Sequence, residues 1–384
     1  MKICLISNLY EPLARGGAEN VVKQTAEGLL KAGHEIFIIT TSPDNTSTKQ
    51  TKQNNFAIYR FKPMNLFYYL KLDEKNILLK ILWHFINIFN FSASSFVEKI
   101  LKNEKPDIVM THNLMGIGFT IPKLINKLNI RHFHILHDVQ LAVPSGLIFK
   151  NKEKSFLVNG FLTKIYAKIC AKQFGSPDVI ISPSKWLLNF YKEKGFFKKS
   201  HQVILPNPIE IDLDNKIKTK KQNKFLFIGQ LEKHKGLEWL INFWQEKKLK
   251  QELHIVGSGS MQITNNKFIK YLGKKTGEEL KNIFSEIDFL IVPSLCYENS
   301  PTVIPLSYNY GTSVVASSIG GIPELVEDQK TGYLFEAEND KNFEQIIKKC
   351  IKMTDDEYSK LSKNCQIKLN TFDIDEYIKK LENL

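Results

Sequence analysis

A single carboxylate, Glu298, stands between an apolar run and Asn-Ser-Pro-Thr in the stretch VPSLCYENSPTVIPLSYNYG, residues 292–311. The preceding DFLIVPS predicts a strand, and Pro301 fits the first turn of a following helix, where its missing N–H costs nothing. The backbone N–H groups of Thr302 and Val303 would then point toward an anion. Glu298 beside that anion could hold the hydroxyls of an attached sugar, or it could simply cap the helix.

A lysine offers the complementary charge. In IGQLEKHKGLEWLI, residues 228–241, a predicted strand ends at Gly229 and Lys235 stands beside Gly236 at the start of the next helix. A lysine at this position can neutralise a diphosphate, whereas an ordinary surface lysine would only be solvated. Lys235 is therefore the predicted diphosphate ligand.

Two further candidates lie in the first half of the chain. Gly16 and Gly17 precede a predicted helix, where glycines let the backbone approach a ligand and the helix N-terminus attracts an anion, although such pairs also form plain turns. His137 and Asp138 follow a predicted strand in HILHDVQ, and the histidine could bind a sugar hydroxyl or phosphate or be structural. We predict no metal site, because Cys and His are not clustered and the pair Asp212 and Asp214 fits chance spacing.

The elements that must position these residues follow a repeated pattern of short apolar runs separated by helix-length segments. The first half contains KICLIS, EIFIIT, DIVMTH, HFHILH, DVIISPS and QVILPN, and the second contains KFLFIG, ELHIVG, DFLIVPS and SVVAS. Such strands are typical of parallel sheets covered on both faces, so we predict two doubly wound α/β domains. The Lys-rich segment 206–224 is interpreted as the linker, which gives domains of about 1–207 and 208–368. Ligands of such sheets bind beyond the carboxyl ends of the strands.

The segment 65–102 differs from the rest. Its NILLKILWHFINIFNF is apolar almost all round, with Lys80, His84 and Asn87 on one narrow stripe. This apolar stretch is shorter than the roughly 20 residues that span a bilayer. The preferred interpretation is a helix buried against the first sheet, and the alternative is an amphipathic element on a membrane surface.

Composition limits the partners and the compartment. Net charge is +13, from 53 Lys and Arg against 40 Asp and Glu, which favours anionic partners. No RNA-recognition or zinc-finger pattern is visible, so we predict no nucleic-acid partner. The 5 scattered cysteines suit a reducing compartment, and the N-terminus lacks the pattern of an export signal, so a cytoplasmic protein is expected.

Taken in order, several stretches resemble glycosyltransferase family 4, the retaining enzymes of the GT-B fold. They include NLYEPLARGGAENVVKQTAEGLLKAGHEIFIIT, LHDVQLAVPSG, FIGQLEKHKG, FLIVPSLCYENSPTVI and GTSVVASSIGGIPELV. The resemblance implies two facing Rossmann-like domains with parallel sheets, and a C-terminal helix, about 369–384, that crosses back to the first domain. It also implies metal-independent transfer from a nucleotide-sugar donor, with no cofactor.

The resemblance assigns roles to residues. It implies that Glu298, Lys235 and His137 are the catalytic residues. The implied donor-binding residues are Gly16, Gly17, Gly229, Gln230, Asn299, Ser300, Pro301, Thr302 and Val303.

Three departures from the family pattern stand out. Leu306, preceded by Pro305, occupies the position of a second glutamate that binds ribose, and Pro305 should disturb the early helix. Gln230 replaces a basic residue. Only the short segment MQITNN remains where the family has a helix, so a parallel crossover there must be compressed or the strands rearranged.

The expected function is transfer of a sugar from a UDP- or GDP-sugar to a lipid-linked or saccharide acceptor in bacterial surface polysaccharide synthesis, such as lipopolysaccharide or capsule. The expected place is the inner face of the cytoplasmic membrane, with the protein bound peripherally. The alternative is a non-catalytic GT-B scaffold that has lost the ribose glutamate at position 306. A GT-B epimerase or phosphorylase has no distinguishing feature in the sequence.

Overall fold

The chain forms two compact units in a computed structural model that describes residues 1–14, 16–44, 49–53, 56–72, 74–212 and 217–384. The first unit contains Met1–Leu147, Lys154–Pro208 and Ile374–Leu384. The second contains Ile148–Glu153 and Ile209–Asp373, so it includes a short segment that the sequence-based boundaries give to the first domain.

The first unit is built on a sheet with eight strands among the described residues. They are β1 (Lys2–Ile6), β2 (Glu35–Thr41), β3 (Lys49–Gln53), β4 (Phe56–Phe61), β5 (Ile108–Thr111), β6 (Arg131–Ile135), β7 (Val179–Ser182) and β8 (His201–Ile204). Their order is β3-β4-β2-β1-β5-β6-β7-β8, and only β3 runs antiparallel to its neighbour. Strands β1, β5, β6 and β7 are buried along nearly their whole length, which confirms the predicted parallel sheet.

Helices connect these strands. They are α1 (Gly17–Lys31), α2 (Ile77–Ile88), α3 (Phe91–Glu104), α4 (Ile121–Lys127), α5 (Phe156–Asn159), α6 (Phe161–Phe174) and α7 (Lys185–Glu193). Helix α1 packs on the sheet through one apolar face, because Val22, Ala26 and Leu29 recur at helical spacing and are buried in the core. Ser184 caps α7 by accepting a hydrogen bond from the Leu187 N–H at 3.2 Å.

The second unit contains a six-stranded parallel sheet in the order β11-β10-β9-β12-β13-β14. The strands are β9 (Lys224–Gln230), β10 (Glu252–Ser258), β11 (Ile269–Tyr271), β12 (Phe289–Val292), β13 (Ser313–Ser317) and β14 (Gly332–Phe335). The helices are α8 (Leu237–Glu246), α9 (Gly277–Glu286), α10 (Val303–Asn309), α11 (Ile322–Leu325), α12 (Asp340–Lys352) and α13 (Asp355–Leu369). Both units are therefore Rossmann-like, as predicted for the GT-B fold.

The shortened connection after β10 is compressed rather than rearranged. Residues 259–268, all of them described, form neither helix nor strand, yet β11 still pairs in parallel with β10. Glycine lets the end of β10 lie close to β9 just before this connection, because a Cβ on Gly257 would lie 1.8 Å from the Gly229 carbonyl oxygen. The compressed connection leads to β11, a strand of only three residues at the edge of the sheet.

Part of the predicted linker 206–224 is docked on the second unit. The Lys218 ammonium donates to the carbonyls of Phe284 and Ile287 and, at 2.8 Å, to the Thr312 hydroxyl. Burial lowers the pKa of Lys218 to about 8. Lys221 donates to the last carbonyls of α12, where a cation also complements the helix dipole.

The last helix, α14 (Ile374–Glu382), belongs to the first unit. It packs on α1 so closely that a Cβ on Gly28 would lie 2.9 Å from Ile378 Cγ1. An ion pair of 3.2 Å joins Lys31 to Asp375. The predicted return of the C-terminal helix is confirmed.

Candidate active site

A buried ion pair forms the centre of the candidate site in the second unit. Lys235 Nζ lies 2.6 Å from Glu298 Oε1, and the Ser294 hydroxyl donates to the same oxygen at 2.9 Å. The two charged side chains are only 26% and 13% exposed, respectively. Two residues that the sequence singled out separately therefore meet, beyond the carboxyl ends of the adjacent strands β9 and β12.

Burial and pairing act in opposite directions on the titration of this pair. For Lys235, burial lowers the pKa, but attraction to Glu298 outweighs it, and the net pKa is raised. For Glu298, burial raises the pKa, but attraction to Lys235 and the hydrogen bonds from Lys235 and Ser294 leave it lowered. Both groups are therefore charged at neutral pH.

The turn that presents Lys235 depends on the glycine after it. Gly236 has φ of +75°, and a Cβ there would lie 1.9 Å from the Pro293 carbonyl oxygen. The Leu295 N–H donates to the His234 carbonyl at 2.9 Å, which joins this turn to the loop after β12. The lysine is thus held against the segment that carries Glu298.

A second glycine loop, which was not predicted from the sequence, supports Glu298. Gly320 has φ of +64°, and a Cβ there would lie 2.2 Å from the Glu298 carbonyl oxygen. The Gly321 N–H donates to that same oxygen at 2.7 Å. The paired glycines in SSIGGIPELV were the available signal, since adjacent glycines often mark close backbone approach.

The helix after Glu298 begins later than predicted. Helix α10 starts at Val303 with Thr302 as its N-cap, so Pro301 precedes the helix rather than lying in its first turn. The predicted disturbance by Pro305 is also wrong, because its nitrogen falls among the first helical positions, which have no intrahelical acceptor in any case. The Pro301 carbonyl instead accepts from the Ile304 N–H at 3.1 Å.

Leu306 is part of the core on the same helix. Its partly buried side chain packs against the apolar cluster that contains Ile304 and Tyr308. The position where the family has a ribose-binding glutamate therefore carries an apolar side chain engaged in packing.

The other predicted donor residues of the second unit lie at the end of β9 and in the loop between β12 and α10. Gly229 and Gln230 are the last two residues of β9 and pair with Gly257 and Ser258 of β10. Asn299 and Ser300, both partly buried, follow Glu298 directly and precede α10. No comparison or contact assigns them a ligand, and their donor-binding role stays a prediction.

In the first unit, His137 is paired with a second histidine that the sequence analysis did not single out. His112 follows β5 and His137 follows the neighbouring strand β6. A hydrogen bond of 2.9 Å joins His112 Nδ1 and His137 Nε2, and the rings stack with centroids 5.2 Å apart. The signal was the histidine after the predicted strand DIVMTH.

Both imidazoles are neutral at physiological pH. Burial lowers the pKa of His137 to about 4 and that of His112 well below its ordinary value. Burial also raises the pKa of the neighbouring Asp138 to about 6, although its carboxylate accepts from Asn113 Nδ2 and the Gln140 N–H, each at 2.8 Å. His137 can therefore donate or accept a hydrogen bond but is not a cation.

Gly16 and Gly17 lie at the N-terminus of α1, as predicted. Gly16 is the N-cap, and its N–H donates to the Glu19 carboxylate at 2.8 Å. The acidic side chain thus occupies part of the helix end that the prediction assigned to phosphate. The anion-binding role of these glycines stays a prediction.

Within the described residues, no three His, Cys, Asp or Glu side chains are grouped as a metal site. Asp212 is paired with Lys281 at 2.7 Å, and Asp214 lies outside the described residues.

Comparisons with known proteins cover both units. A family model described as Glycosyltransferase Family 4 matches residues 15–213, and one described as Glycosyl transferases group 1 matches residues 222–353. An uncharacterized 42.6 kDa protein in the cps region of Klebsiella pneumoniae is 29% identical over 335 residues, 85% of this chain and 87% of the relative.

Two further proteins are similar to this chain. The UDP-Gal:alpha-D-GlcNAc-diphosphoundecaprenol alpha-1,3-galactosyltransferase of Escherichia coli is 26% identical over 325 residues, 74% of this chain and 76% of the enzyme. The crystal structure of Anabaena HepE in complex with UDP superposes with a TM-score of 0.73, covering 100% of this chain and 99% of that one at 15% identity. At that identity, the structural match supports the fold alone.

Proposed function

This chain belongs to glycosyltransferase family 4, and from that premise we propose that it moves a sugar from a nucleotide-sugar donor to a lipid-linked or saccharide acceptor, with retention of anomeric configuration. The observation that carries the proposal is the buried pair of Lys235 and Glu298. A leaving diphosphate needs a cation, and a sugar needs hydrogen-bond acceptors for its hydroxyls. The pair supplies the cation and the hydrogen-bond acceptor side by side, 2.6 Å apart.

The division of labour follows from charge. The Lys235 ammonium has three N–H donors, and its bond to Glu298 uses one of them. Lys235 would bind the diphosphate, while the Glu298 carboxylate would accept hydrogen bonds from the donor sugar. The ion pair fixes both side chains before substrate binds, so little reorganisation is needed.

The reaction needs charge stabilisation at one oxygen. The bond between the anomeric carbon and the diphosphate oxygen breaks, and its electron pair goes to that oxygen. The acceptor hydroxyl oxygen forms the new bond to the same face of the anomeric carbon, and its proton goes to the departing diphosphate. Lys235 and the backbone N–H groups of Thr302 and Val303 at the start of α10 would stabilise the developing charge, so no metal ion is required in this proposal.

The first unit is proposed to bind the acceptor. His137, a neutral imidazole held by His112, suits a hydrogen bond to a sugar hydroxyl better than proton transfer at neutral pH. An anion could bind at Gly16 and Gly17 only by displacing the Glu19 carboxylate from the Gly16 N–H.

UDP is the donor nucleotide that we favour over GDP. The E. coli relative is named for a UDP-sugar, and HepE was crystallised with UDP. Because Leu306 is apolar and packed, ribose must be held by other groups than the usual glutamate. The diphosphoundecaprenol acceptor in the relative's name and the cps region of another relative support a lipid-linked acceptor in surface polysaccharide synthesis.

The test is donor turnover by the purified full chain. UDP-, GDP- and ADP-sugars are supplied with a lipid extract or saccharide acceptor in the presence of EDTA, and release of nucleoside diphosphate is measured. We expect release from one donor, lost in Lys235→Met and kept in Lys233→Met, which changes an exposed lysine in the same turn. No binding or turnover with any donor would contradict the proposal and favour the non-catalytic scaffold, which the apolar Leu306 also favours.

A further inference from the structure

Helix α2 exposes apolar side chains in an arrangement opposite to that of an ordinary surface helix. Leu78 is 75% exposed, while the polar Asn87 is fully buried. The exposed apolar side chains of α2 are Ile77, Leu78, Leu79, Ile81, Leu82 and Phe85. The preferred sequence interpretation, a helix buried against the sheet, is therefore wrong for this side of α2.

The polar stripe of α2 faces the protein. Asn87 Oδ1 accepts from the Gly116 N–H at 2.8 Å. The His84 ring packs edge-on against Tyr166 of α6, and burial lowers the pKa of His84 to about 4. A helix that buries polar side chains and exposes most of its apolar ones, here all but Trp83, Ile86 and Ile88, is adapted to an apolar medium on its outer side.

Helices α5 and α6 extend this surface. The contact between His84 and Tyr166 joins α2 to α6. The exposed apolar residues of α5 and α6 are Phe156, Leu157, Phe161, Leu162, Ile165 and Ile169, with Phe161 73% exposed. We call these residues, together with those of α2, the apolar face.

The geometry of α2 suits an element that lies on a membrane rather than one that crosses it. Residues Ile77–Glu104 pass a length and composition test for a membrane span, but α2 ends at Ile88 and α3 starts at Phe91. Asn90 fixes this break, because its side chain accepts from the Ala93 N–H and donates to the Met64 carbonyl, each at 3.1 Å. The 12 residues of α2 extend about 18 Å, against about 30 Å for the bilayer core.

The charges around the apolar face select anionic lipid. Segments 75–97 and 154–177 contain no Asp or Glu. Their lysines are Lys75, Lys80, Lys154, Lys164, Lys168 and Lys172, and the last three are exposed along α6 beside Ile165 and Ile169. Such a surface would repel a second copy of itself and attract anionic headgroups.

We propose that the apolar face of α2, α5 and α6 inserts into the headgroup region of an anionic membrane and makes the protein a peripheral membrane protein. The apolar side chains enter the acyl boundary, and the lysines of α6 reach the lipid phosphates. This binding needs neither donor nor acceptor sugar, so it stands or fails separately from the proposed transferase reaction.

The test uses the full chain with a fluorophore placed on the face. The five native cysteines are all buried, so Leu82→Cys can be labelled selectively with a polarity-sensitive dye, and Ile367→Cys on α13 of the second unit, at a 61% exposed position, is the matched control. The labelled proteins are titrated with vesicles of phosphatidylcholine, with and without phosphatidylglycerol. We expect a blue shift for the α2 label on anionic vesicles only, and none for the control label.

Unlabelled variants complete the test by vesicle sedimentation. Leu78→Gln with Leu82→Gln should weaken binding about tenfold or more, Lys164→Gln with Lys168→Gln should weaken it severalfold at low salt, and Ile367→Gln should leave it unchanged. Unchanged thermal unfolding of these surface variants excludes misfolding. Failure of the wild type to bind anionic vesicles, or equal binding by the α2 variant, would overturn the proposal. So would a wild-type dimer that the α2 variant converts to monomer, since a second copy would then cover the face.

Discussion

Replacing Glu298 by glutamine removes one charge from the ion pair while keeping an oxygen that can accept from Ser294. The Lys235 ammonium, only 26% exposed, then has no counter-charge at 2.6 Å. Breaking a buried pair costs about 3–5 kcal/mol, and the partial exposure of Lys235 argues for about 2–3 kcal/mol of lost unfolding free energy. For a unit of this size, that lowers Tm by about 4–12 °C. If Glu298 also binds the donor sugar, turnover falls by about a hundredfold.

Stability and turnover are separated by a double-mutant cycle of Glu298→Gln and Lys235→Met. The double variant has no unpaired buried charge, so its Tm should recover toward the wild-type value. Its turnover should stay low, because the diphosphate has lost its cation and the sugar has lost its carboxylate.

The assay is nucleoside diphosphate release measured beside thermal unfolding, at a temperature where all four proteins are folded. Recovery of both Tm and turnover in the double variant would refute the reasoning, because it would show that the pair acts only in packing. Full turnover by the Glu298→Gln variant would refute it equally.

Three other predictions concern the site and its support. Gly320→Ala should lower Tm and turnover together, because its Cβ would lie 2.2 Å from the Glu298 carbonyl oxygen. The control Gly33→Ala, at φ of +88° with open space around it, should lower stability only by the backbone strain of about 1 kcal/mol. An equal loss of Tm in the two variants would contradict a clash at Gly320. Leu306→Glu should tighten UDP binding in calorimetry if ribose lies beside α10, and unchanged affinity would show that ribose lies elsewhere. The first unit should lose stability as pH falls from about 6.5 to 4. Burial lowers the pKa of His137 to about 4, so in this range the unfolded chain binds the proton and the folded chain does not. The unfolding free energy then falls by up to about 1.4 kcal/mol per pH unit for each such histidine. The buried Asp138 beside His137 has a raised pKa, so its protonation offsets part of this loss. The measurement is urea unfolding at both pH values, and a higher stability at the lower pH would contradict the prediction.

Strand periodicity predicted the architecture well. The apolar runs from KICLIS to SVVAS correspond to strands of the two sheets, and most of these strands are buried because strands covered on both faces must be apolar throughout. The edge strand β8, from QVILPN, is the exception, since none of its residues is buried. The antiparallel pair of β3 and β4 was missed, since KQTKQ of β3 contains no apolar residue. Helix α2 was misjudged because composition cannot say which side of an apolar helix faces solvent.

The candidate site was predicted as separate parts. Lys235 and Glu298 were both chosen from their places after strands, but their contact depends on which strands are neighbours in the sheet. Gly320 and His112 were not chosen, because their importance comes from what lies opposite them in space. The start of α10 was misplaced by two residues, since Pro301 fits a first helical turn and also fits the loop before it.

A structure of the full chain with a bound nucleotide-sugar would show directly whether Lys235 and Glu298 hold the donor. We expect Lys235 Nζ within hydrogen-bond distance of the diphosphate, and Glu298 carboxylate oxygens within the same distance of the sugar hydroxyls. We also expect that the ribose makes no polar contact with Leu306. A donor bound away from the Lys235 and Glu298 pair, or a Glu298 that contacts only Lys235 and Ser294, would contradict these expectations.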